Sequence, residues 1–214
     1  MQQPQASFLF DLDGTLVDSV YQHVLAWNEA LDAEGIKLSV WRIHRKIGMS
    51  GGLLTNMLLR ETGLEIDSDR IERLQRLHAQ AYIRLSAKIQ PLPGARELLA
   101  YLTGAKIPWA IATSGRMETA RPALETLGIQ FDQIPIVTRD QVKHAKPNPD
   151  LFLTAAERVG SEIEPPRSLA IAFGTCWPLA ALGLWASDFC PAATDRRSWS
   201  VRAPTASTRI RPIF

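Results

Sequence analysis

The stretch Ser7-Phe8-Leu9-Phe10-Asp11-Leu12-Asp13-Gly14-Thr15 decides the fold. Ser7 to Phe10 is a short apolar run that stops at a carboxylate, the pattern of a strand buried on both faces. Strand alternation puts Asp11 and Asp13 on one side, and Gly14 lets the backbone turn sharply after them. Open α/β sheets bind ligands at the carboxyl ends of their strands, where this pair stands. Two carboxylates so close repel and favour a cation between them. Oxygen ligands beside a phosphate suit Mg²⁺. The plainer alternative is an Asp- and Gly-rich turn that merely ends a strand.

Outward from this stretch the chain changes rhythm twice. From about Ser19 to about Lys88 the apolar residues recur at helical spacing, and no strand is expected there. The segments Tyr21–Leu31, Gly51–Leu59 and Ile71–Leu85 carry that pattern. Beyond Lys88, helices and strands alternate. Helices are expected from Pro93-Gly94 to Leu102, over Glu118–Leu127 and over Pro149–Val159. Strands are expected at Ile107–Thr113, Gln133–Val137 and Ser168–Ala172. Alternation of this kind implies a parallel sheet covered on both faces. The expected fold class is therefore α/β, a Rossmann-like parallel-sheet core with an inserted all-helical cap. Residues 1–18 and 89–172 form the core, 19–88 the cap, and 173–214 an irregular tail.

Two further features fall on matching strand ends. Thr113-Ser114-Gly115 follows an apolar strand, and its hydroxyls and N–H groups suit a phosphate oxygen. A helix cap explains the same residues as readily. In Lys146-Pro147-Asn148-Pro149-Asp150 two prolines stiffen the loop that holds Lys146 just before a helix. A fixed ammonium there offsets charge on phosphate and carboxylates. In isolation, a surface lysine before a helix is the better reading.

In this order and on these strand ends, the three motifs resemble the haloacid dehalogenase superfamily. The resemblance runs from about Ser7 to about Ala172. It implies Asp11 as nucleophile, forming an aspartyl-phosphate, and Asp13 as general acid and base. It implies Mg²⁺ bound by the Asp11 carboxylate and the Asp13 carbonyl, phosphate held by Thr113 or Ser114 with Gly115, and Lys146 stabilising charge. The second acid at position 13 favours phosphate chemistry over dehalogenation. The helical insert is similar to the caps of phosphoglycolate phosphatase-like and beta-phosphoglucomutase-like members, which close over the site and choose the substrate. Its expected substrate-facing loop is His44–Ser50, where Arg45 would grip a second anionic group; a solvated basic helix end is the alternative. His23, His78 and His144 show no ligand spacing and are expected at the surface or a boundary. Trp27 and Trp41 are expected in the cap core.

Composition narrows the function further. Hydrophobic residues make up 46% of the 214, enough for a sizeable core. A net charge of +2 gives no argument for nucleic acid. Two cysteines make neither a disulfide framework nor a metal cluster, and no basic region precedes an apolar run at the N-terminus. A small phosphorylated metabolite as partner, no nucleic acid, no membrane and a cytoplasmic setting are the expectations. Nothing in the sequence fixes an oligomeric state.

The fourth motif of the resemblance, a Gly-Asp and a further acid after the last strand, is missing. Phe173-Gly174-Thr175-Cys176-Trp177 stands there, and no acid occurs between Glu164 and Asp188. No Lys follows Lys146, and three of the six Trp lie beyond Phe173. Reading the last base of each codon with the first two of the next converts Cys176–Trp177 to Leu, Trp177–Pro178 to Ala and Trp185–Ala186 to Gly. Continued with permitted codons, the shifted frame yields a peptide similar to the family's missing C-terminal third. The expectation is a reading-frame shift near Ala172 and an impaired enzyme. The rivals are a C-terminal membrane anchor in the uncharged run Ser168–Ala186, and a tail that makes a non-catalytic binding protein.

Overall fold

The structure, a computed structural model, describes residues 7–48, 51, 55–56, 60, 63, 67–146, 148–160 and 169–172. The tail from residue 173, with Asp188 and the frame-shift and anchor readings attached to it, lies outside them, as does most of the helix expected over Gly51–Leu59.

Strand β1 spans Ser7–Phe10 and lies at the heart of a four-stranded sheet. Its neighbours are β4 (Trp109–Ala112) and β6 (Leu169–Ala172), both parallel to it, and β5 (Ile136–Val137) extends the sheet beyond β4. The order β5-β4-β1-β6 means that the chain builds one side of β1 and then crosses to the other. Ligand clefts of open α/β sheets form at such a reversal.

Strand alternation divides the core in two. Phe10, Trp109 and Ile111 face one layer, with α4 (Ala95–Gly104) and α5 (Met117–Thr126) supplying Leu99, Leu102, Ala123 and Leu124. Leu9, Ala110, Ala112 and Val137 face the other, against Leu151, Phe152 and Ala155 of α6 (Asp150–Arg158). Small Ala side chains on this second face let α6 approach closely. Burial on both faces accounts for the apolar runs Phe8–Phe10 of β1, Trp109–Ala112 of β4 and Ile136–Val137 of β5. Gly128 and Gly160 adopt positive φ just past α5 and α6, as helix-ending glycines do.

Before the helical insert the chain makes a short strand the sequence pattern does not reveal. β2 (Val17–Asp18) pairs antiparallel with β3 (Gln90–Pro91), tying the two ends of the insert together. With two residues each, these strands are too short to show a period of two. Between them lie α1 (Val20–Ala33), α2 (Val40–His44) and α3 (Ser68–Leu85). Val24, Trp27, Leu31, Ile43 and Leu74 build a separate core among these helices. Arg70 of α3 donates to Glu34 Oε2 at 2.8 Å and to the Glu34 carbonyl, pinning α3 to the end of α1. Trp41, expected in this core, is instead 56% exposed, with Arg42 and Arg45 over its ring. Among the described residues no helix is long and apolar enough to cross a membrane.

Candidate active site

The register Phe10↔Ile111 brings the ends of β1 and β4 level, so Asp11 and Thr113 leave the sheet side by side. Asp11 is 3% exposed and accepts the Leu12 N–H on Oδ1 at 2.8 Å. The same oxygen meets the Lys146 ammonium, which is itself 5% exposed and lies 5.2 Å from the Phe152 ring centroid. Burial pushes the Asp11 carboxyl above its usual range, against the pull of Lys146. Lys146 reaches this place because Ala145 is buried beneath β5 and the chain turns there, Asn148 N–H donating to the Ala145 carbonyl at 3.1 Å.

Gly14, at φ 73°, turns the chain after Asp13. The Asp13 side chain keeps 18% exposure and faces the cap. Ser19 Oγ donates to its Oδ1 at 2.5 Å, and His23 Nε2 lies 3.3 Å from the same oxygen. The Tyr82 hydroxyl interacts with both Asp13 and Ser19. Burial alone would raise Asp13, but His23, Ser19 and Lys146 outweigh it and hold the carboxyl down at about 2. Two carboxylates separated by one residue are thus driven in opposite directions by their surroundings.

On β4's side, Gly115 N–H donates to Thr113 Oγ1 at 3.0 Å and closes a tight turn. A Cβ on Gly115 would stand 3.3 Å from that oxygen, so the turn suits glycine. Thr113 is fully buried. The Ser114 hydroxyl is buried without a hydrogen-bond partner and lines the cleft. An orphaned buried hydroxyl costs about 1–3 kcal/mol, which a ligand oxygen would recover.

These groups open into a cleft of about 360 Å³, within the range of small-molecule sites. Asp11, Asp13, Ser114, Gly115 and Lys146 form its floor, with Arg116 and Arg139 at the core side. The cap contributes Trp27, Ile47, Gly48, Gly51, Gln75 and His78. The structure therefore brings Asp11, Asp13, Ser114, Gly115 and Lys146 together, with Thr113 directly beneath. Arg45 is not among them. It is exposed, and its guanidinium lies over Trp41, 5.8 Å from the ring centroid. The expectation that it grips substrate is corrected: the loop enters the cleft through Ile47 and Gly48, two and three residues further on. Met49 and Ser50 of the same loop lie outside the described residues.

His23 and His78, expected at the surface or a boundary, are half-buried, and both line the cleft. His144 is half exposed and paired with Asp150 at 3.2 Å. Trp27 belongs both to the cap core and to the cleft wall. The signal in the sequence was helical phase: Val20, Trp27 and His23 share a face of α1, as His78 and Tyr82 do on α3.

The donor set suits a hard divalent cation in part. Asp11 and Asp13 offer oxygens only, and the Leu12 N–H and the Lys146 ammonium both meet Asp11 at Oδ1. Among the described residues no group of three His, Cys, Asp or Glu assembles into a metal site.

Comparison with known proteins agrees with this geometry. Residues 6–174 match the family model described as haloacid dehalogenase-like hydrolase. Hexitol phosphatase A of Escherichia coli K12 is 36% identical over 155 residues, covering 72% of this chain and 68% of the relative. Beta-phosphoglucomutase of Bacillus subtilis is 31% identical over 168 residues, covering 76% and 73%. The crystal structure of a hydrolase from Pseudomonas syringae aligns with a TM-score of 0.74 and 55% identity, over 78% of this chain and 75% of that one. A match over residues 6–174, which contain every strand end that builds the cleft, places this chain in the haloacid dehalogenase-like hydrolase family.

Proposed function

We propose that the cleft hydrolyses a phosphate monoester of a small, uncharged, hydroxylated metabolite through an aspartyl-phosphate on Asp11. The observation that carries this reading is the sealed Asp11–Lys146 pair at the end of the central strand, with Asp13 two residues on and bound to the cap. Asp11 would attack phosphorus, and the bond to the leaving oxygen would break as Asp13 gives it a proton. Asp13 would then take a proton from the water that hydrolyses the acyl phosphate. Held at about 2, Asp13 is ionised without substrate, so it must first take a proton from solvent, to which its side chain is partly open. An arriving phosphate dianion supplies the drive, because a like charge nearby raises a carboxyl pKa. Lys146 neutralises charge at Asp11, and the Ser114 hydroxyl and Gly115 turn receive a phosphate oxygen. Mg²⁺ held by the Asp11 carboxylate and the Asp13 main-chain carbonyl would screen the nucleophile from the phosphate's charge.

The relatives are named as phosphatases and as a phosphomutase. The cap wall favours hydrolysis. Among the described residues it presents apolar side chains, glycines, an amide and two imidazoles, and no ammonium or guanidinium. The cap residues outside the described set include no Lys, Arg or His either. A mutase that passes through a bisphosphate needs a cation for the second phosphate. With no acid between Glu164 and Asp188, the carboxylates that the resemblance requires after β6 are missing from the sequence, and turnover is slow.

The test is phosphate release from an aryl phosphate and a panel of sugar phosphates, with and without Mg²⁺. Slow, Mg²⁺-dependent release that disappears in Asp11→Asn is expected. Release that survives that substitution would sink the reading. A rate as high as an intact family member would remove the impairment from it.

A further inference from the structure

Two imidazoles stand in line behind Asp13. His23 comes from α1 and His78 from α3, 55 residues apart in sequence. His23 Nε2 lies 3.3 Å from Asp13 Oδ1, and His23 Nδ1 lies 3.2 Å from His78 Nε2. Flat contacts clamp both rings. His78 stacks on Trp27 with centroids 4.2 Å apart, and His23 stacks on Tyr82 at 3.9 Å. Neither ring can tilt without breaking a stack, so the direction of the hydrogen bonds is the freedom that remains.

With both rings neutral, proton counting fixes that direction. A neutral imidazole has one N–H and one lone pair, and an ionised carboxylate only accepts. His23 must therefore place its N–H on Nε2, toward Asp13. Its Nδ1 then presents a lone pair to His78, and an N–H on His78 Nε2 satisfies it. The donors run from His78 to His23 to Asp13. The opposite polarity would set the His23 lone pair against the carboxylate. Burial lowers the basicity of His78 well below that of an ordinary histidine, which keeps this ring neutral and limits it to a single N–H.

We infer that His78 is a positioning residue: its Nε2–H holds His23 in the orientation that keeps a donor on Asp13. The inference deepens the phosphatase reading and rests on it for Asp13's role as acid and base. It adds a member of the cap that does not touch Asp13 and acts through another ring. It also explains why two histidines are stacked between a Trp and a Tyr in a wall without cationic side chains. A donor relay set by the cap gives the acid–base residue its orientation only while α1 and α3 keep their packing.

The test uses the whole chain labelled with ¹⁵N at histidine, without substrate or metal, at a pH where the imidazoles are neutral. In the unsubstituted protein, His78 and His23 should both carry the proton on Nε2, and the His23 Nε2–H should exchange slowly. His78→Phe keeps a ring on Trp27 and removes the donor. His78→Gln keeps an N–H donor and gives up the aromatic stack. The His23 Nε2–H signal should be lost to solvent exchange in the Phe variant and retained in the Gln variant. Any other pattern across the two variants overturns the inference. A proton on His78 Nδ1 in the unsubstituted protein overturns it before any variant is made. Because no turnover is measured, failure of the phosphatase reading shows up separately, in the Asp11→Asn assay.

Discussion

Lys146 Nζ rests on Asp11 Oδ1 with both side chains almost sealed from water, at 6% and 4% exposure. The pair differs from a surface ion pair in what its disruption leaves behind. Removing one partner strands a charge in a low dielectric, which costs about 3–5 kcal/mol. Lys146→Met should lose stability on that scale in urea denaturation at pH 7, and Asp11→Asn in the same background should restore a large part of it. The Asp11 carboxyl already lies above its usual range through burial, so the folded state holds that proton more tightly than the unfolded chain. Ionising it costs stability as pH rises from the ordinary carboxylate value through the raised one. The deficit of Lys146→Met should accordingly shrink in acid. A deficit that does not vary with pH would show that the substitution acts through packing against Phe152 instead.

Asp13 behaves with the opposite sign. Its carboxyl is held at about 2, against 3.8 for an unperturbed group, so its ionised form is favoured by folding. The associated stability is fully present above the unfolded value and disappears as pH falls from 3.8 toward 2. A shift of this size corresponds to about 2 kcal/mol, an upper figure for a side chain partly open to the cleft. Asp13→Asn should be less stable than the parent by up to that amount at pH 7, and the gap should close as pH falls from 3.8 toward 2. Equal stability of the two proteins at pH 7 would show that Ser19 and His23 do not hold the charge.

The two hydroxyls of the Thr113–Ser114 doublet should separate cleanly. Ser114 Oγ is buried with no partner, so Ser114→Ala removes an unsatisfied group and should leave stability unchanged or raise it by up to about 1 kcal/mol. Thr113 Oγ1 accepts the Gly115 N–H, so Thr113→Val breaks a buried hydrogen bond and should cost about 1–2 kcal/mol. Both variants should weaken the protection that inorganic phosphate gives against thermal unfolding. If Ser114→Ala binds phosphate as well as the parent, its hydroxyl is not a ligand.

How far the sequence alone carries depends on how local each feature is. Asp11, Asp13 and Gly14 are nearly consecutive, and each sits at the end of an apolar run, so strand, turn and chemistry are legible together. The Thr113 and Lys146 motifs are equally compact, and the parallel order of their strands follows from the alternation of elements. The His23–His78 pair is not local. It arises from the packing of α1 on α3: helical phase puts each histidine on the face of its own helix that carries Trp27 or Tyr82, but nothing in the spacing pairs the two. The β2–β3 ribbon is hidden for a different reason, since two residues cannot show a period. Arg45 and Trp41 misled because a basic residue near glycines and an aromatic at helical spacing carry no information about azimuth at the end of a five-residue helix. Arg45 satisfies itself on the exposed Trp41 ring, and the chain enters the cleft through Ile47 and Gly48 instead.

The uncharged cap wall yields the last prediction. Gly51 lines the cleft and lies in a helical segment, and among the described residues a Cβ there would meet Trp27 Cζ2 at 3.8 Å, an ordinary contact. A side chain at this position is therefore tolerated, and replacing a helical glycine contributes up to about 1 kcal/mol of stability. Gly51→Arg would place a guanidinium opposite the Asp11 floor, where the native wall has no cation to meet a second phosphate. Thermal shift with a hexose monophosphate and a hexose bisphosphate separates the cases. The parent should be protected no better by the bisphosphate than by the monophosphate, whereas Gly51→Arg should prefer the bisphosphate, by roughly tenfold in affinity for one new charge-assisted pair. Strong protection of the parent by the bisphosphate would mean that Arg116 and Arg139, on the core side, already bind the second phosphate, and the mutase reading would then stand above the hydrolase.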